Sequence, residues 1–484
     1  MNREFEQLLD KVRREGGEIR SDSREVGKGD IFVAVPGVNA DGARFIPPAV
    51  EAGASTIVCL PGGAEAEAAR AAGCTVVHHD DPREALWRLA EARWHTGSLP
   101  LRVLGVTGTN GKTTSAYLLE HLFTATGHKV GVLGTVSYRW PGHCEAAPLT
   151  TPDPLRVHAM LAAMAQAGVD IAVMEVSSHA LEQQRVCGVS FAGASFSNLT
   201  QDHLDFHQDM ESYFRAKSRL FLELPRADKV MAINGDDPWG RRLLELCPRA
   251  LSFGLQKALP QQRHLWGELL SAGTDGCHLR MHLDGQQWEL RSPLVGAFNA
   301  SNLLSVQALA LELGLMPDDL RHLEDFHGVC GRLERVPNAR KLHVFVDYAH
   351  TPDALVNVLK ALRGAGFKRI VTVFGCGGNR DRTKRPIMGE AVARYSDVAV
   401  LTSDNPRFED PEAILKDVLP GLREAREVVV EVDRRKATAK AVEMLGPDDA
   451  LLIAGKGHED YQIIQGTKHH YSDQEVVREL LGCA

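Results

Sequence analysis

Three clusters of side chains carry most of the chemistry in this sequence, and each directly follows a short apolar run. The first is GVTGTNGKTT, Gly105 to Thr114. Its glycines let backbone N–H groups close around phosphate oxygens at a helix N-terminus, where the helix dipole also favours negative charge. Lys112 can reach terminal phosphates, and the Thr113 hydroxyl can ligate Mg²⁺. The strict phosphate-loop spacing would place a glycine at Val106, so the match is to GxxGK[ST] with a displaced first glycine. The second cluster is MEVSSHALEQQRV, Met174 to Val186. Glu175 at a strand's C-terminal end is where an α/β site would hold a metal-ligating carboxylate, although spacing alone equally suits a salt-bridge partner. The third is SNLTQDHLDFHQD, Ser197 to Asp209. His203 and His207 are spaced i, i+4 as in zinc sites, but the glutamate of HExxH is missing, and the pattern alone favours a capped helix start.

Further polar groups sit at turns. Lys217 lies in SYFRAKSRLF, where pattern alone predicts a solvated helical lysine. GAFNASN (Gly296 to Asn302), GVCGRLE (Gly328 to Glu334) and DYAHTPD (Asp347 to Asp353) each put polar side chains at a turn without being decisive singly. In SDNPRFEDP, Ser403 to Pro411, Arg407 offers a planar fork for a carboxylate and Asp404 can accept from an ammonium group. Pro406 stiffens that turn. A simple capped turn before a helix fits the same spacing.

Elements that could position these groups fall into three blocks. The first, to about His95, has strand-like runs at Ile31 to Val35, Ser55 to Leu60 and Cys74 to His78, with Ala-rich helices between. The stretch TGSLP, Thr96 to Pro100, reads as a boundary. The second block has buried-strand signals at Arg102 to Val106, Asp170 to Val176, Phe191 to Ser197 and Lys229 to Ile233, alternating with helices, which predicts a mostly parallel sheet. Between 262 and 292 the rhythm shortens, and Asp275-Gly276 and Asp284-Gly285 predict antiparallel hairpins. From Pro337, strands at His343 to Val346, Arg369 to Phe374, Val398 to Leu401, Glu427 to Val432 and Ala450 to Ile453 alternate with helices, a second open α/β sheet.

Totals narrow the function class. The chain has 484 residues, 44% hydrophobic and 24% charged, enough to bury several cores without disulfides. A net charge of −8 argues against a nucleic-acid coat or a polybasic membrane anchor, while leaving room for a local phosphate site. The cysteines fall singly with no CxxC pair, which reads as reduced thiols in the cytoplasm. Neither a signal-peptide core nor an 18-residue apolar run is evident, so no membrane insertion is expected. GCGG, Gly375 to Gly378, lacks the GxGxxG spacing and does not support a dinucleotide oxidoreductase.

Taken in order, GTNGKTT, TTPD (Thr150 to Asp153), EVSSHAL, DHLDFH, FNASN, GRLE, DYAHTP, GGNRD, SDNPR and AGKGHE resemble the motif series of the Mur ligases. The likeness runs from SDSR, Ser21 to Arg24, to Ala454–Glu459, nearly the whole chain. Leu149 stands where some relatives carry asparagine, and Gln208 where many carry glycine. The resemblance implies an α/β protein of three domains: an N-terminal UDP-precursor-binding α/β domain (1–97), a central P-loop ATPase-like domain with a mostly parallel sheet (98–336), and a C-terminal Rossmann-like α/β domain (337–484). It implies an ATP-dependent amide ligase adding meso-diaminopimelate to UDP-N-acetylmuramoyl-L-alanyl-D-glutamate through an acyl phosphate, as a cytoplasmic monomer.

Residue roles follow from the same likeness. ATP would be held by Gly108, Thr109, Asn110, Gly111, Lys112, Thr113 and Thr114, with Asn299, Asn302, Arg332 and Asp347. Mg²⁺ would meet Thr113, Glu175, His203 and Lys217, the last sitting where relatives carry a carbamylated lysine. The UDP precursor would meet Ser21, Ser23 and Asn39, and its peptide arm Thr150, Thr151, Ser177, Gln183 and Arg185. Diaminopimelate would meet Arg380, Asp404, Asn405, Pro406, Arg407, Gly455 and Glu459. Rivals are the L-lysine-adding ligase of the family, the folylpolyglutamate synthases, and a nucleotide-gated binding protein without ligation. The DNPR loop favours diaminopimelate, and Glu175, His203 and Lys217 together exceed what nucleotide binding alone requires.

Overall fold

The computed structural model describes residues 3–37, 41–257 and 262–482. Its contacts divide the chain into two compact units. One takes the chain as far as Gly254 together with Leu304–Leu320, and the other holds Trp266–Leu303 and the chain from Arg321 onward.

The first unit opens with four parallel strands in sequence order, Ile19–Arg20, Ile31–Val33, Thr56–Cys59 and Thr75–His78. Successive residues of a strand face opposite sides. Val33, Val58 and Val77 accordingly pack with Phe5, Leu9 and Leu89, whereas Phe32, Ile57 and Val76 pack with Ile46, Ala49 and Ala66. The helix Pro82–Trp94 starts where Asp81 accepts from the Arg83 N–H and proline fills the first turn, an arrangement proline suits because that N–H needs no partner.

A larger sheet follows in the same unit. Its strands run in the order Leu251–Gly254, Pro225–Asn234, Phe191–Phe196, Arg102–Thr107, Ile171–Glu175 and Val130–Leu133, all parallel. The hairpin Ser137–Trp140 and His143–Ala146 adds two antiparallel strands. Sequence reading found the inner strands, which are continuous apolar runs buried on both faces. It missed Val130–Leu133, interrupted by Gly131, and the polar hairpin beside it. The strand Arg102–Thr107 lies between Ile171–Glu175 and Phe191–Phe196. The three chemistry-bearing loops therefore leave the C-terminal ends of adjacent parallel strands, the usual position of an α/β site.

In the second unit, strands His264–Gly273, Gly276–Leu283 and Gln286–Ser292 pair antiparallel. The turn at Asp284-Gly285 is as expected, with both residues at positive φ. The other turn falls at Thr274-Asp275, one residue early. Gly276 opens the next strand at φ 121°, where an added Cβ would lie 1.9 Å from the Ser292 carbonyl oxygen. A six-stranded sheet completes the unit, ordered Glu334–Arg335, His343–Asp347, Asp449–Ala454, Arg369–Phe374, Val398–Leu401 and Val428–Val430. Only the first pair is antiparallel. Among the described residues no helix is long and apolar enough to cross a membrane, and each cysteine is a free thiol.

Candidate active site

The phosphate-loop residues occupy the turn between the strand Arg102–Thr107 and the helix Lys112–Ala125. Gly108 has φ 147° and lies so close to Ser197 that a Cβ would sit 1.9 Å from its Oγ. Glycine is required there both for conformation and for space. The Ser197–Thr200 segment braces the loop. The Asn110 N–H donates to the Asn198 side chain at 3.0 Å, the Thr109 N–H to the Asn198 carbonyl at 2.9 Å, and the Thr200 N–H to Thr109 Oγ1 at 3.1 Å. Sequence reading treated this segment only as a histidine cluster.

Two ammonium groups converge on the loop. Lys112 Nζ donates to the carbonyls of Gly108 (2.9 Å) and Thr109 (2.8 Å), and Lys217 Nζ to that same Gly108 carbonyl at 2.9 Å. Lys217 is buried in the helix Met210–Leu222, 4.8 Å from the centre of the Tyr213 ring. The solvated surface lysine expected from pattern is thus overturned. The helix turns this face inward, with Tyr213, Phe214, Ala216 and Leu220 also buried. Burial, and then the charge of Lys112, push the Lys217 ammonium well below the usual lysine range.

Glu175 closes its strand fully buried. Its Oε2 accepts from the hydroxyls of Thr113 (2.9 Å) and Thr135 (3.0 Å), and its Oε1 from the Thr135 N–H (2.9 Å). A Cβ at Gly134 would come within 2.4 Å of Oε1, so the GT pair after Leu133 shapes a cradle around the carboxylate. Thr135 was not found from sequence, where only its place in GT after an apolar run marks it. His203 is half-exposed at φ 53°, with Nε2 3.5 Å from Asp202 and its ring edge-on to His179 at 4.8 Å. His207 is buried and bonded to the Ser178 hydroxyl at 2.9 Å, a structural partner that explains the i, i+4 spacing without zinc. No group of three or more His, Cys, Asp or Glu residues among those described could hold a metal. The donor set of one carboxylate and hydroxyls instead suits Mg²⁺, which keeps several waters and takes its other oxygens from phosphates.

The residues assigned to the peptide arm form one network beside this cradle. Thr151 Oγ1 donates to the Glu175 carbonyl (2.8 Å) and accepts from the Ser177 N–H (3.1 Å). Arg185 donates to the Thr151 carbonyl (3.0 Å) and to Gln183 (2.7 Å), and Thr150 meets Thr135 at 3.2 Å. Ser21 and Ser23 flank Asp22, which caps the 3₁₀ turn Ser23–Glu25. Asn39 lies outside the described residues. Trp87 and Asp81 both bond the Gln184 side chain, at 3.1 and 2.8 Å, tying the helix Pro82–Trp94 and its cap to the turn bearing Gln183 and Arg185.

The second unit carries the remaining predicted groups. The Asn302 amide donates to Asn299, which in turn donates to the Val295 carbonyl. Asp347 accepts from the N–H groups of Leu333 and Ala349, and burial raises its carboxyl above the usual range. The Arg332 guanidinium lies 5.1 Å from the Tyr348 ring centre, its buried Nε without a hydrogen-bond partner.

A cavity of about 450 Å³ opens at the C-terminal ends of four strands of the six-stranded sheet. Arg380, Asp404, Asn405, Arg407, Gly455 and Glu459 all line it. Pro406 is not among the lining residues; its carbonyl oxygen lies 1.9 Å from where a Cβ on Gly378 would stand. Tyr348, Cys376 and Met388 also line it and were not anticipated. Arg407 is half-buried at φ 54° and donates to the Gly378 carbonyl at 2.8 Å. Asn405 Nδ2 donates to Glu459 at 2.9 Å.

Comparison with known proteins covers the chain in three segments. Residues 17–94 match the model described as Mur ligase family, catalytic domain; 106–310 match Mur ligase middle domain; and 331–457 match Mur ligase, glutamate ligase domain. A UDP-N-acetylmuramoyl-L-alanyl-D-glutamate–2,6-diaminopimelate ligase of Lawsonia intracellularis is 56% identical over 96% of this chain and 95% of its own length. The ligase of the same name from Aquifex aeolicus is 42% identical over 96% and 93%. A solved structure of a ligase so named superposes with a TM-score of 0.68 at 32% identity, covering 96% of this chain and 94% of that one.

Proposed function

The chain belongs to the Mur ligase family, and within it we propose the residue-level account that follows. It is an ATP-dependent ligase that joins 2,6-diaminopimelate to UDP-N-acetylmuramoyl-L-alanyl-D-glutamate in peptidoglycan precursor synthesis, the reaction named for its relatives at 56% and 44% identity. The single observation that carries the choice of amino acid is the cavity that gathers Arg380, Asp404, Asn405, Arg407, Gly455 and Glu459. A cavity pairing guanidinium groups with carboxylates suits a zwitterion better than the bare ammonium of lysine.

ATP phosphates are read by the N–H groups of Gly108 to Thr114. Lys112, tied here to the loop's own carbonyls, swings to the transferring phosphoryl group, where a fixed positive charge lowers the barrier. The precursor's D-glutamyl carboxylate attacks the γ-phosphorus and ADP leaves. The diamino acid's amine then displaces phosphate to form the amide. Thr113, Glu175, His203 and a carbamylated Lys217 would hold Mg²⁺, which supplies charge neutralisation at the phosphates. The depressed Lys217 favours this, because only a neutral amine adds CO₂. Thr150, Thr151, Ser177, Gln183 and Arg185 orient the peptide arm, with Ser21, Ser23 and Asn39 at the UDP end. Asn299, Asn302, Arg332 and Asp347 complete nucleotide recognition.

We place the domain boundaries near 97/98 and 336/337, and the enzyme as a cytoplasmic monomer. The test is ADP release with purified enzyme: it must require both the UDP-dipeptide and the diamino acid, and the product must carry the mass of one added diaminopimelate. ADP release without the amino acid, or no product of that mass, rejects the assignment.

A further inference from the structure

Behind the cavity lined by Arg407 and Glu459 lies an ammonium with no part in the proposed mechanism. Lys456 is fully buried. Its Nζ donates to the Tyr461 carbonyl (2.7 Å) and the Asn405 side-chain oxygen (3.2 Å), and stands 3.3 Å from Asp404 Oδ1 and 3.9 Å from Glu459 Oε2. Asp404 Oδ1 is itself buried and has no hydrogen-bond partner, so the ammonium is its counter-charge. Asn405 is fixed on both ends. Its oxygen accepts from Lys456 and from the Ile463 N–H (2.9 Å), and its nitrogen donates to Glu459 (2.9 Å). A flipped amide would place an NH₂ against an ammonium and an N–H, and an oxygen against a carboxylate, so a single orientation survives.

We propose that Lys456 is the positioning and charge-setting residue of the diamino-acid cavity. It holds the Asn405 amide with its hydrogens toward Glu459, and it offsets one unit of the negative charge that Asp404 and Glu459 bring to the cavity floor. Without it Asp404 and Glu459 would together attract any ammonium, including the plain side-chain end of lysine. With it the floor carries the net charge of one carboxylate, two carboxylates sharing one ammonium, in a cavity that Arg380 and Arg407 also line, a charge pattern that suits an ammonium next to a carboxylate. This rests on the cavity being the diaminopimelate site.

Wild-type kcat/KM for diaminopimelate and L-lysine is measured first, and a wild type without preference removes that underlying reading rather than this one. With the preference established, Lys456→Met should raise KM for diaminopimelate on the order of tenfold, the usual effect of losing a charge-assisted hydrogen bond. The change in kcat should be much smaller, and the preference over lysine should narrow. Adding Asp404→Asn restores the charge balance and removes both members of the buried pair, which should return the preference toward wild type. An unchanged KM and ratio in Lys456→Met, a loss confined to kcat, or a double variant no nearer the wild-type ratio each overturn the proposal. If Lys456→Met lacks a cooperative melt, the double variant is compared with Asp404→Asn alone. The lysine-to-diaminopimelate ratio must then rise on removing Lys456, and an unchanged ratio rejects the proposal.

Discussion

The phosphate loop and the cavity proposed for the diamino acid are built for recognition in opposite ways. The loop is a backbone device: one strand, one turn and one helix, with Gly108 pressed against Ser197 and its carbonyls already engaged by Lys112 and Lys217. The cavity is a side-chain device, gathered from four loops between Tyr348 and Glu459 and held by ion pairs. A backbone site reads any nucleotide triphosphate of the right geometry, whereas a side-chain site can weigh one carboxylate against none. Under the proposed assignment the selective half of the reaction belongs to the cavity and the phosphate-reading half to the loop.

The largest effect should come from breaking the loop. Lys112→Ala removes the charge nearest the transferring phosphoryl group, a change worth several kcal/mol at the transition state, about a hundredfold or more in rate. Turnover should vanish into background while circular dichroism and Tm stay those of wild type; a well-folded, active variant would take Lys112 out of the mechanism.

The cavity breaks differently. Arg434 and Asp473 form a fully buried pair at 2.8 Å, and Arg434 also donates to the Ala454 carbonyl at the strand end that precedes Gly455. Leaving Asp473 alone costs about 3–5 kcal/mol, so Arg434→Met should lower Tm sharply and shift the denaturant midpoint. A Tm within a degree or two of wild type would mean the pair contributes little.

Lys217 mixes the two kinds of device, a side chain lodged in the backbone site. Lys217→Ala should cut kcat on the order of a hundredfold and be partly rescued by acetate, which replaces the carboxylate of a carbamate. Because burial depresses the ammonium, the amine is neutral at lower pH than an ordinary lysine, so CO₂ dependence should persist toward neutral pH rather than appear only in alkali. No rescue by acetate together with no response to CO₂ removal leaves Lys217 a plain ammonium. Thr135→Val is the mildest test: it deletes one of the two hydroxyls on Glu175, a loss of about 1–3 kcal/mol in a buried carboxylate's hydrogen bonding, visible as a higher Mg²⁺ concentration for half-maximal turnover. Unchanged Mg²⁺ titration would detach Glu175's cradle from the metal.

This contrast also explains what could be read from sequence. The loop was legible because its parts are contiguous: an apolar strand, glycines, Lys112-Thr113 and a helix. Glu175 was legible as a strand-end carboxylate, but Thr135, forty positions earlier, was not. Lys217 looked like solvent-facing lysine because a helical pattern does not price a single buried cation among Tyr213, Phe214 and Leu220. The cavity became visible only through likeness to a family, since no local spacing joins Arg380, Asp404 and Glu459. Lys456 escaped altogether, being adjacent to residues that face the ligand while itself facing Asn405 and Asp404. The antiparallel turn at Thr274-Asp275 shifted by one residue because Gly276 is needed for close approach to Ser292 rather than for the turn.

The central claim is that the cavity reads the distal carboxylate of the diamino acid, and Arg407 tests it most directly. Arg407 is half-buried, so losing its pairing with that carboxylate should cost less than a fully desolvated ion pair, about 1.5–3 kcal/mol. At about 1.4 kcal/mol per tenfold this is roughly ten- to a hundredfold. The measurement is kcat/KM for diaminopimelate and L-lysine in wild type and Arg407→Ala. The account predicts a strong wild-type preference for diaminopimelate that narrows in the variant chiefly through loss of diaminopimelate use. Equal wild-type values, or a preference left intact by the substitution, would contradict it.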